Sequence, residues 1–272
     1  MIVRVIAYII LFVLCVFAVF PLVWMIATSV KNYADVYVFP PHYIPDHLDL
    51  GFYRRVLNDT PFISYMLNSI IVTSCSTLLS VIFGAMAGWS LARSKLRGRQ
   101  LMLRGTLLAY LLPQILIVIP FFGFLSWVGL NNTYAGLILA YTTLTFPFST
   151  WLLTDYFRSI PTEIEDQGRI DGAPEWSIFF RLILPLAAPG LAVAAIFAFI
   201  NSWNEFLYGF VILGSGEKQV LTVGLYNFVG GENAQWGPMM AATTLTMLPT
   251  LVLFLFVQRR LVGGLTAGAV KD

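Results

Sequence analysis

Four polar or aromatic residues stand close together inside one long apolar stretch of the sequence: Asn201, Trp203, Asn204 and Glu205. An ionisable side chain inside a membrane-spanning segment is costly unless it is paired or faces water, so Glu205 needs a partner there. Amide, indole and carboxylate groups can hydrogen-bond to the hydroxyl groups of a solute. We interpret the cluster either as part of a solute pathway or as a carboxylate bonded to a neighbouring helix or subunit.

A second group of polar residues occupies the segment 158–185 between two apolar stretches. Thr162 and Glu165 have the spacing of a capping box, which predicts that a helix begins there. Gly172 predicts the end of this helix, because glycine readily adopts the left-handed conformation. Pro174 suits the first turn of a second helix. The segment is therefore predicted to form a helix-turn-helix.

The second helix of this segment is predicted to have an apolar face. Its large apolar residues recur at helical spacing, and they are Trp176, Phe179, Phe180 and Ile183. By periodicity alone, the segment could equally be an amphipathic connector that lies on the membrane surface and needs no protein partner.

Motifs of several enzyme classes are missing from the sequence. It has no G-x-x-x-x-G-K-[ST] motif, so we expect that this chain cannot hydrolyse ATP alone. His42 and His47 have no further ligands at metal-binding spacing, so we expect loop histidines and no metal site. No apolar stretch carries a catalytic pair. We therefore expect a non-catalytic chain without a cofactor of its own, in which Cys15 and Cys75 are small apolar residues.

The apolar stretches predict a membrane protein. Of the 272 residues, 58% are hydrophobic and 11% are charged, and the mean hydropathy is +0.79. A helix needs about 20 mainly apolar residues to cross the hydrocarbon core of a bilayer. We predict one all-α membrane domain, 1–272, with six transmembrane helices near 5–30, 64–91, 101–125, 134–157, 186–213 and 237–257. A tail, 259–272, follows the last helix.

The distribution of basic residues predicts the orientation of the chain. With six spans, both termini and the even-numbered connectors lie on one side of the membrane, and most basic residues fall there. They are Arg4, Arg93, Lys95, Arg97, Arg99, Arg104, Arg158, Arg169, Arg181, Arg259, Arg260 and Lys271. The other side has only Lys31, Arg54, Arg55 and Lys218. The positive-inside rule therefore predicts cytoplasmic termini.

Two further features of the charge and the small residues are informative. The net charge is only +2 and the basic residues form no single stripe, which argues against binding to nucleic acid. Gly84 and Gly88 in the predicted second span form a G-x-x-x-G motif, which allows two helices to approach closely. Such motifs are common in helical membrane proteins, so this one predicts packing and no particular function.

The stretch from Pro161 to Pro189 resembles the EAA loop of ABC importer permeases, in which E-A-A is followed by a glycine and later by I-x-L-P. Asp166-Gln167-Gly168 stands at the E-A-A positions, Asp171-Gly172-Ala173 matches the D-G-A that follows, and Ile183-Leu184-Pro185 matches the end. The resemblance implies a coupling helix that docks into a cleft on a cytoplasmic ATPase. It assigns ATPase contact or loop geometry to Glu163, Glu165, Asp166, Gly168, Asp171, Gly172 and Pro185.

The E-A-A positions depart from the family pattern in three places. Aspartate replaces glutamate at Asp166, and Gln167 and Gly168 replace two alanines. Glycine weakens a helix by roughly 1 kcal/mol relative to alanine, although Gly168 keeps the site small. We expect these changes to affect how the helix fits a groove.

Two further stretches, FINSWNEFLYGFVIL and the terminal QRRLVGGLTAGAVKD, resemble the carbohydrate-uptake branch of these permeases. The resemblance implies the type I importer architecture, in which this chain forms half of a sugar pathway that works by alternating access. It also implies a second permease in a heterodimer, two ATPase subunits that bind ATP and Mg²⁺, and an extracytoplasmic sugar-binding protein at a bacterial inner membrane. The tail would reach the ATPases, kept flexible by Gly263, Gly264 and Gly268.

Two other function classes compete with this interpretation. A self-sufficient secondary transporter or channel would be expected to have inverted repeats and several charges within the membrane, and neither is evident. A polytopic membrane enzyme would need a catalytic constellation, which the sequence does not display. A non-catalytic importer permease is therefore the favoured hypothesis.

Overall fold

The structure of this chain is a computed structural model that describes residues 2–94, 97–214, 216–229 and 234–269, with side chains between Arg4 and Phe256. The basic residues Lys95 and Lys271 lie outside the described residues, as do the side chains of Arg259 and Arg260. Within the described ranges the chain is helical and has no β-strand.

The helices follow one another along the whole chain. They are α1 (Ile2–Ser29), α2 (Tyr33–Val36), α3 (Gly51–Asp59), α4 (Phe62–Arg93), α5 (Arg99–Leu111), α6 (Gln114–Trp127), α7 (Tyr134–Ser159), α8 (Glu163–Ile170), α9 (Glu175–Ser177), a π-helix (Ile178–Ile183), α10 (Leu184–Leu186), α11 (Ala188–Asn204), α12 (Leu207–Leu213), α13 (Leu221–Tyr226) and α14 (Trp236–Ala269).

Four helices of the described chain are long and apolar enough to cross a membrane: Arg4–Ser29, Phe62–Arg93, Tyr134–Ser159 and Trp236–Phe256. Two bent pairs, Arg99–Leu111 with Gln114–Trp127 and Glu175–Leu186 with Ala188–Asn204, meet the same test together. Counting each pair as one span gives six, the number that the sequence predicts.

The predicted third span, 101–125, is wrong as a single helix. Helices α5 and α6 meet at 98°. The break falls at Leu112, which is extended with φ −66° and ψ 133°, and at Pro113. Proline lacks the N–H that would continue the helix and disfavours the helical conformation of the residue before it.

The predicted fifth and sixth spans also differ from the observed helices. The region 186–213 is interrupted at Glu205 and Phe206, so α11 and α12 are separate. Helix α14 does not end near 257 but continues to Ala269, past the start of the tail predicted from residue 259. Leucine, alanine and arginine in this stretch favour a helix, whereas Gly263, Gly264 and Gly268 weaken it.

The contacts within the chain divide it into two compact units, where the sequence predicts one domain. The first unit is Met1–Met66 with Val223–Pro249, and the second is Leu67–Thr222 with Thr250–Asp272. In the first unit, the nearly buried Lys31 lies 4.6 Å from the centroid of the Trp24 ring and donates to the carbonyl of His42. This arrangement fixes the connector that follows α1.

The core of the second unit lies where the segment 158–185 meets α4, α7 and α11. Its buried apolar members are Ala85, Leu153, Phe157, Ile160, Ile178, Phe179, Ile183, Ala187 and Ala194. Helices α4 and α7 approach closely here, because a Cβ on Gly88 would lie 3.0 Å from the backbone nitrogen of Thr154. A Cβ on Gly84 would lie 3.1 Å from the Cβ of Ser149. The G-x-x-x-G motif therefore packs against α7, as predicted.

Candidate functional site

The first helix of the segment 158–185, hereafter the coupling loop, begins at the predicted position but without the predicted capping box. The backbone carbonyl of Thr162 accepts from the amides of Glu165 and Asp166 at 3.0 Å, yet the Thr162 side chain makes no capping hydrogen bond. The Glu165 carboxylate points away from the cap. That part of the prediction is wrong because a distant arginine offers the carboxylate a stronger, charged donor.

Glu165 is buried against the end of α4. Its side chain is only 1% exposed, and its Oε1 accepts from Nε of Arg93 at 2.7 Å and from Nε1 of Trp89 at 3.3 Å. A buried carboxylate is tolerated only with such a partner, since removing one member of a buried ion pair strands the other charge. Glu165 therefore holds the coupling loop on α4 and does not face outward, where an ATPase could touch it.

Arg93 also binds the end of α7. Its Nη2 donates to the carbonyl of Ile160 at 2.7 Å, at the residue that caps α7. One guanidinium thus joins three elements, because its fixed fork serves a carboxylate and a carbonyl at once. We call Arg93, Glu165 and the Ile160 carbonyl the loop clamp.

Arg169 extends this polar network across the loop. Its Nη1 donates to Asp166 and its Nε to Glu175, both at 2.8 Å, and its Nη2 lies 3.5 Å from Oε2 of Glu165. The hydrogen bond from Arg169 holds the pKa of the Glu175 carboxyl below its usual range, and Glu175 in turn raises the pKa of Arg169. Both groups stay charged near neutral pH, so the two arms of the loop remain joined.

Gly168 marks the closest approach between the two arms. It is buried, and a Cβ there would lie 3.0 Å from Cδ1 of Leu182 and 3.1 Å from Cγ1 of Ile178. The glycine that replaces alanine therefore faces the loop's own second arm and leaves the outward surface unchanged.

The turn between the arms has the predicted conformation. Gly172 has φ +76°, and the amides of Gly172 and Ala173 donate to the carbonyls of Arg169 and Gly168 at 3.1 and 3.0 Å. Asp171 and Gly172 are exposed at this turn. The prediction of a left-handed glycine that ends the first helix is thus confirmed.

The predicted apolar face of the second arm is only partly correct. Phe179 and Ile183 are buried as expected, but Trp176 and Phe180 are exposed and Ile178 is buried in their place. The reason is the π-helix, whose i→i+5 hydrogen bonds change which side chains share a face. Trp176, which precedes the π-helix, lies exposed with the guanidinium of Arg181 5.9 Å from the centroid of its ring.

The outward surface of the coupling loop combines acidic and apolar side chains. Glu163, Asp166 and Asp171 are exposed there, Ile170 is 84% exposed and Trp176 is 61% exposed. Pro185 is exposed at the far end of the loop. The sequence analysis missed Ile170, although a lone apolar residue in a polar helix was an available signal. Exposed apolar side chains rimmed by charge are typical of a surface that binds another protein.

The polar cluster predicted in the fifth span lies at a helix break. Oε2 of Glu205 accepts from the amides of Tyr208 at 2.9 Å and Gly209 at 3.4 Å. It thereby satisfies backbone donors at the start of α12. The carbonyl of Glu205 accepts from the hydroxyls of Tyr141 and Thr222. The Glu205 carboxylate therefore has hydrogen-bond partners within this chain.

A cavity of about 360 Å³ lies beside the two helix breaks of the second unit. Its lining includes Tyr110 to Gln114 from the break between α5 and α6, and Asn201 and Glu205 from the end of α11. Gln114 and Asn201 are exposed amides, and amides are costly to leave in hydrocarbon. Two of the four predicted pathway residues, Asn201 and Glu205, therefore line a mainly apolar cavity, together with Gln114, which the sequence analysis missed.

The other two predicted pathway residues do not line this cavity. Trp203 is 4% exposed and stacks on Phe199, with ring centroids 5.6 Å apart. Asn204 is exposed, and its Nδ2 donates to the carbonyl of Ile200 within its own helix. Trp203 is therefore a packing residue, and nothing in the cavity geometry assigns solute contact to Asn204.

Replacing Glu205 by alanine should destabilise the protein, because two amides of α12 lose their acceptor. We expect a loss of about 1 to 3 kcal/mol in the free energy of unfolding. Glu205→Gln is the matched control, since its side-chain oxygen can still accept. Thermal unfolding of both purified variants in detergent would measure this, and equal stability of the two variants would contradict the capping role.

Comparison with known proteins places this geometry in a family. Residues 80–266 match the family described as binding-protein-dependent transport system inner membrane component. The chain is 33% identical over 258 residues to a diacetylchitobiose uptake system permease protein of Streptomyces coelicolor, covering 94% of this chain and 85% of that protein. It is 34% identical to a trehalose/maltose transport system permease protein of Thermococcus litoralis, covering 95% and 93%.

A solved structure has the same fold. A chain from a bacterial ABC transporter involved in the import of the acidic polysaccharide alginate aligns with a TM-score of 0.84 at 24% identity, covering 95% of this chain and 96% of that chain. The region that matches the family, residues 80–266, includes the coupling loop, the loop clamp and the residues that line the cavity. This chain belongs to the family of inner membrane components of binding-protein-dependent transport systems.

Proposed function

We propose that this chain is the permease subunit of a bacterial importer that carries a carbohydrate into the cell. It forms half of the pathway, with a second, homologous permease forming the other half. Two cytoplasmic ATPase subunits bind ATP and Mg²⁺ and act on the coupling loop. A sugar-binding protein delivers the solute to the outer connectors, and both termini of the chain lie in the cytoplasm.

The observation that carries this proposal is the two-sided construction of the coupling loop. One side is attached to α4 through the buried Glu165, and Gly168 lets the two arms of the loop pack closely. The other side presents Ile170 and Trp176 beside exposed carboxylates and beside Arg181, whose guanidinium lies 5.9 Å from the centroid of the Trp176 ring. A connector that only lay on a membrane surface would turn both apolar side chains toward lipid and would have mainly basic groups beside them. Three exposed carboxylates, Glu163, Asp166 and Asp171, favour instead a protein partner that carries basic groups.

A carbohydrate as the solute is supported by two independent features. The relatives described above are permeases for diacetylchitobiose and for trehalose and maltose. The cavity beside the helix breaks is lined by the amides of Gln114 and Asn201, and the Nδ2 of Asn201 also donates to the carbonyl of Phe197 at 2.8 Å. Amide donors and acceptors match the hydroxyl groups of a sugar. Helix breaks next to such a cavity are typical of solute sites in transporters.

Replacing Ile170 by aspartate should release the ATPase from the complex. The charge would sit at the centre of the outward surface, where an apolar contact is lost and a carboxylate is desolvated. After affinity purification in mild detergent, we expect the second permease to stay bound while the amount of recovered ATPase falls by about tenfold or more, equivalent to at least 1.4 kcal/mol.

Ile44→Asp is the matched control for this experiment. Ile44 is 80% exposed in the connector between α2 and α3, which the proposal puts on the opposite side of the membrane. The control should retain the ATPase. The proposal would be overturned if the unaltered chain purified without any ATPase and carried solute into vesicles without nucleotide.

Replacing Gly172 by valine should reduce transport while the protein still inserts into the membrane. A left-handed backbone at φ +76° is strained for a β-branched residue, although a side chain there would meet nothing within 4 Å. Gly172→Asn is the control, since asparagine tolerates this conformation. ATP-driven uptake should fall in the valine variant and stay near normal in the asparagine variant. Equal uptake by both would show that the turn geometry is unimportant.

A further inference from the structure

Helix α4 is the one long apolar helix of the described chain without an internal proline. Helices α1, α7 and α14 contain Pro21, Pro147 and Pro249. The described part of α4 runs without interruption from Phe62 to Arg93. A proline removes a backbone hydrogen bond and favours a kink, so α4 lacks the proline kink sites that the other three helices contain.

One end of α4 is attached to the coupling loop at several points. Besides the loop clamp at Arg93, the ring of Trp89 lies 4.9 Å from that of Phe179 in the second arm. Trp89 and Arg93 are four residues apart and therefore share one face of the helix. A displacement of either arm of the loop must move this end of α4.

The opposite end of α4 is attached to the connector between α12 and α13. The Nδ2 of Asn68 donates to the carbonyls of Glu217 at 2.8 Å and Gln219 at 2.9 Å. The hydroxyl of Ser69 accepts from the amide of Leu221 at 2.7 Å. Asn68 and Ser69 are both buried, so these bonds are shielded from water.

A third element joins this second attachment. The hydroxyl of Tyr134, the first residue of α7, donates to Oδ1 of Asn68 at 2.9 Å. Asn68 thus uses its carbonyl oxygen and its amide group together, much as Arg93 uses its guanidinium. The two attachments are 25 positions apart, from residue 68 to residue 93, which at 1.5 Å per residue is roughly 38 Å.

We propose that α4 is a rigid link between the ATPase side and the outer side of the permease. Arg93 and Asn68 are the positioning residues at its two ends. Nucleotide-driven movement of the coupling loop is passed along α4 to the connector at Glu217–Leu221, and movement of that connector is passed back. This inference rests on the proposed function, because it needs an ATPase on the loop.

The competing explanation is that both attachments only hold the fold together. Removing Arg93 alone would not separate the two explanations, since it would leave the buried Glu165 carboxylate with only the longer contacts to Trp89 at 3.3 Å and Arg169 at 3.5 Å. We therefore choose the double substitution Arg93→Met with Glu165→Leu. It removes both charges together and keeps apolar volume in the core.

The matched control is the double substitution Arg158→Met with Asp155→Leu. Asp155 and Arg158 are exposed in the last turns of α7, close in sequence to Ile160 of the loop clamp. Their replacement also removes one charge of each sign. At the other end of α4, Asn68→Leu tests the second attachment directly. Ser69→Ala is compared with Ser64→Ala, because Ser64 is exposed on the same helix.

The measurement follows the outer connector while nucleotide is added on the other side. A cysteine replaces the exposed Glu217, and the exposed Cys15 and Cys75 are replaced by serine. The purified complex with its ATPase is placed in vesicles and treated with Mg²⁺, ATP and vanadate. The rate at which a membrane-impermeant maleimide labels the new cysteine is compared with and without nucleotide.

We expect nucleotide to change the labelling rate by about fivefold or more in the unaltered complex and in both controls. The loop-clamp double variant, Asn68→Leu and, to a smaller extent, Ser69→Ala should lose that change. If the attachments are purely structural, the variants should unfold at a lower temperature. Every variant complex that still assembles should then keep the nucleotide-dependent change in labelling rate. A response that persists in Asn68→Leu, whose substitution lies far from the loop, would overturn the proposal.

Failure of the proposed function would look different. In that case no ATPase would purify with the unaltered chain. A complex that hydrolyses ATP but gives no nucleotide response at the outer connector would leave the proposed function intact and overturn the rigid link alone.

Discussion

The buried ion pair between Glu165 and Arg93 determines which side chains of the coupling loop face outward. A carboxylate that is 1% exposed must keep its cationic partner, so the rotation of α8 about its axis is fixed. Gly168, three residues on, then faces the same side and admits the second arm of the loop. Asp166 and Ile170, which point the other way by helical geometry, are left on the outward surface. The surface proposed for the ATPase is thus a consequence of this internal contact.

The two helix breaks of the second unit are explained by the need of backbone N–H and C=O groups for hydrogen-bond partners in a membrane. The chain departs from a helix at Pro113 and at Glu205, and at the second break the Glu205 carboxylate accepts from buried amides at the start of α12. Breaks of this kind are tolerated in membranes only where they are buried in protein or line a cavity. The cavity beside both breaks meets that condition.

Features that depend on neighbouring residues could be predicted from the sequence, and features that depend on distant ones could not. Apolar length predicted the spans, and a glycine after a polar helix predicted the left-handed turn at Gly172. The capping box at Thr162 failed because Arg93, far away in the sequence, competes for the same carboxylate. Periodicity could not reveal the π-helix, since it assumes a regular α-helical repeat. The break at Pro113 follows from proline chemistry, because proline removes a backbone hydrogen bond and favours a kink within a span.

The most direct test of the account is to find what touches the outward surface of the coupling loop in a working cell. A photoreactive amino acid at Ile170 should cross-link to a separate nucleotide-binding subunit, whereas the same group at Ile44 should not. The account predicts that ATP changes the yield of this product. Cross-linking of the Ile170 position to lipid alone, in cells whose uptake of carbohydrate proceeds normally, would contradict the central claim that the loop is the docking surface of an ATPase.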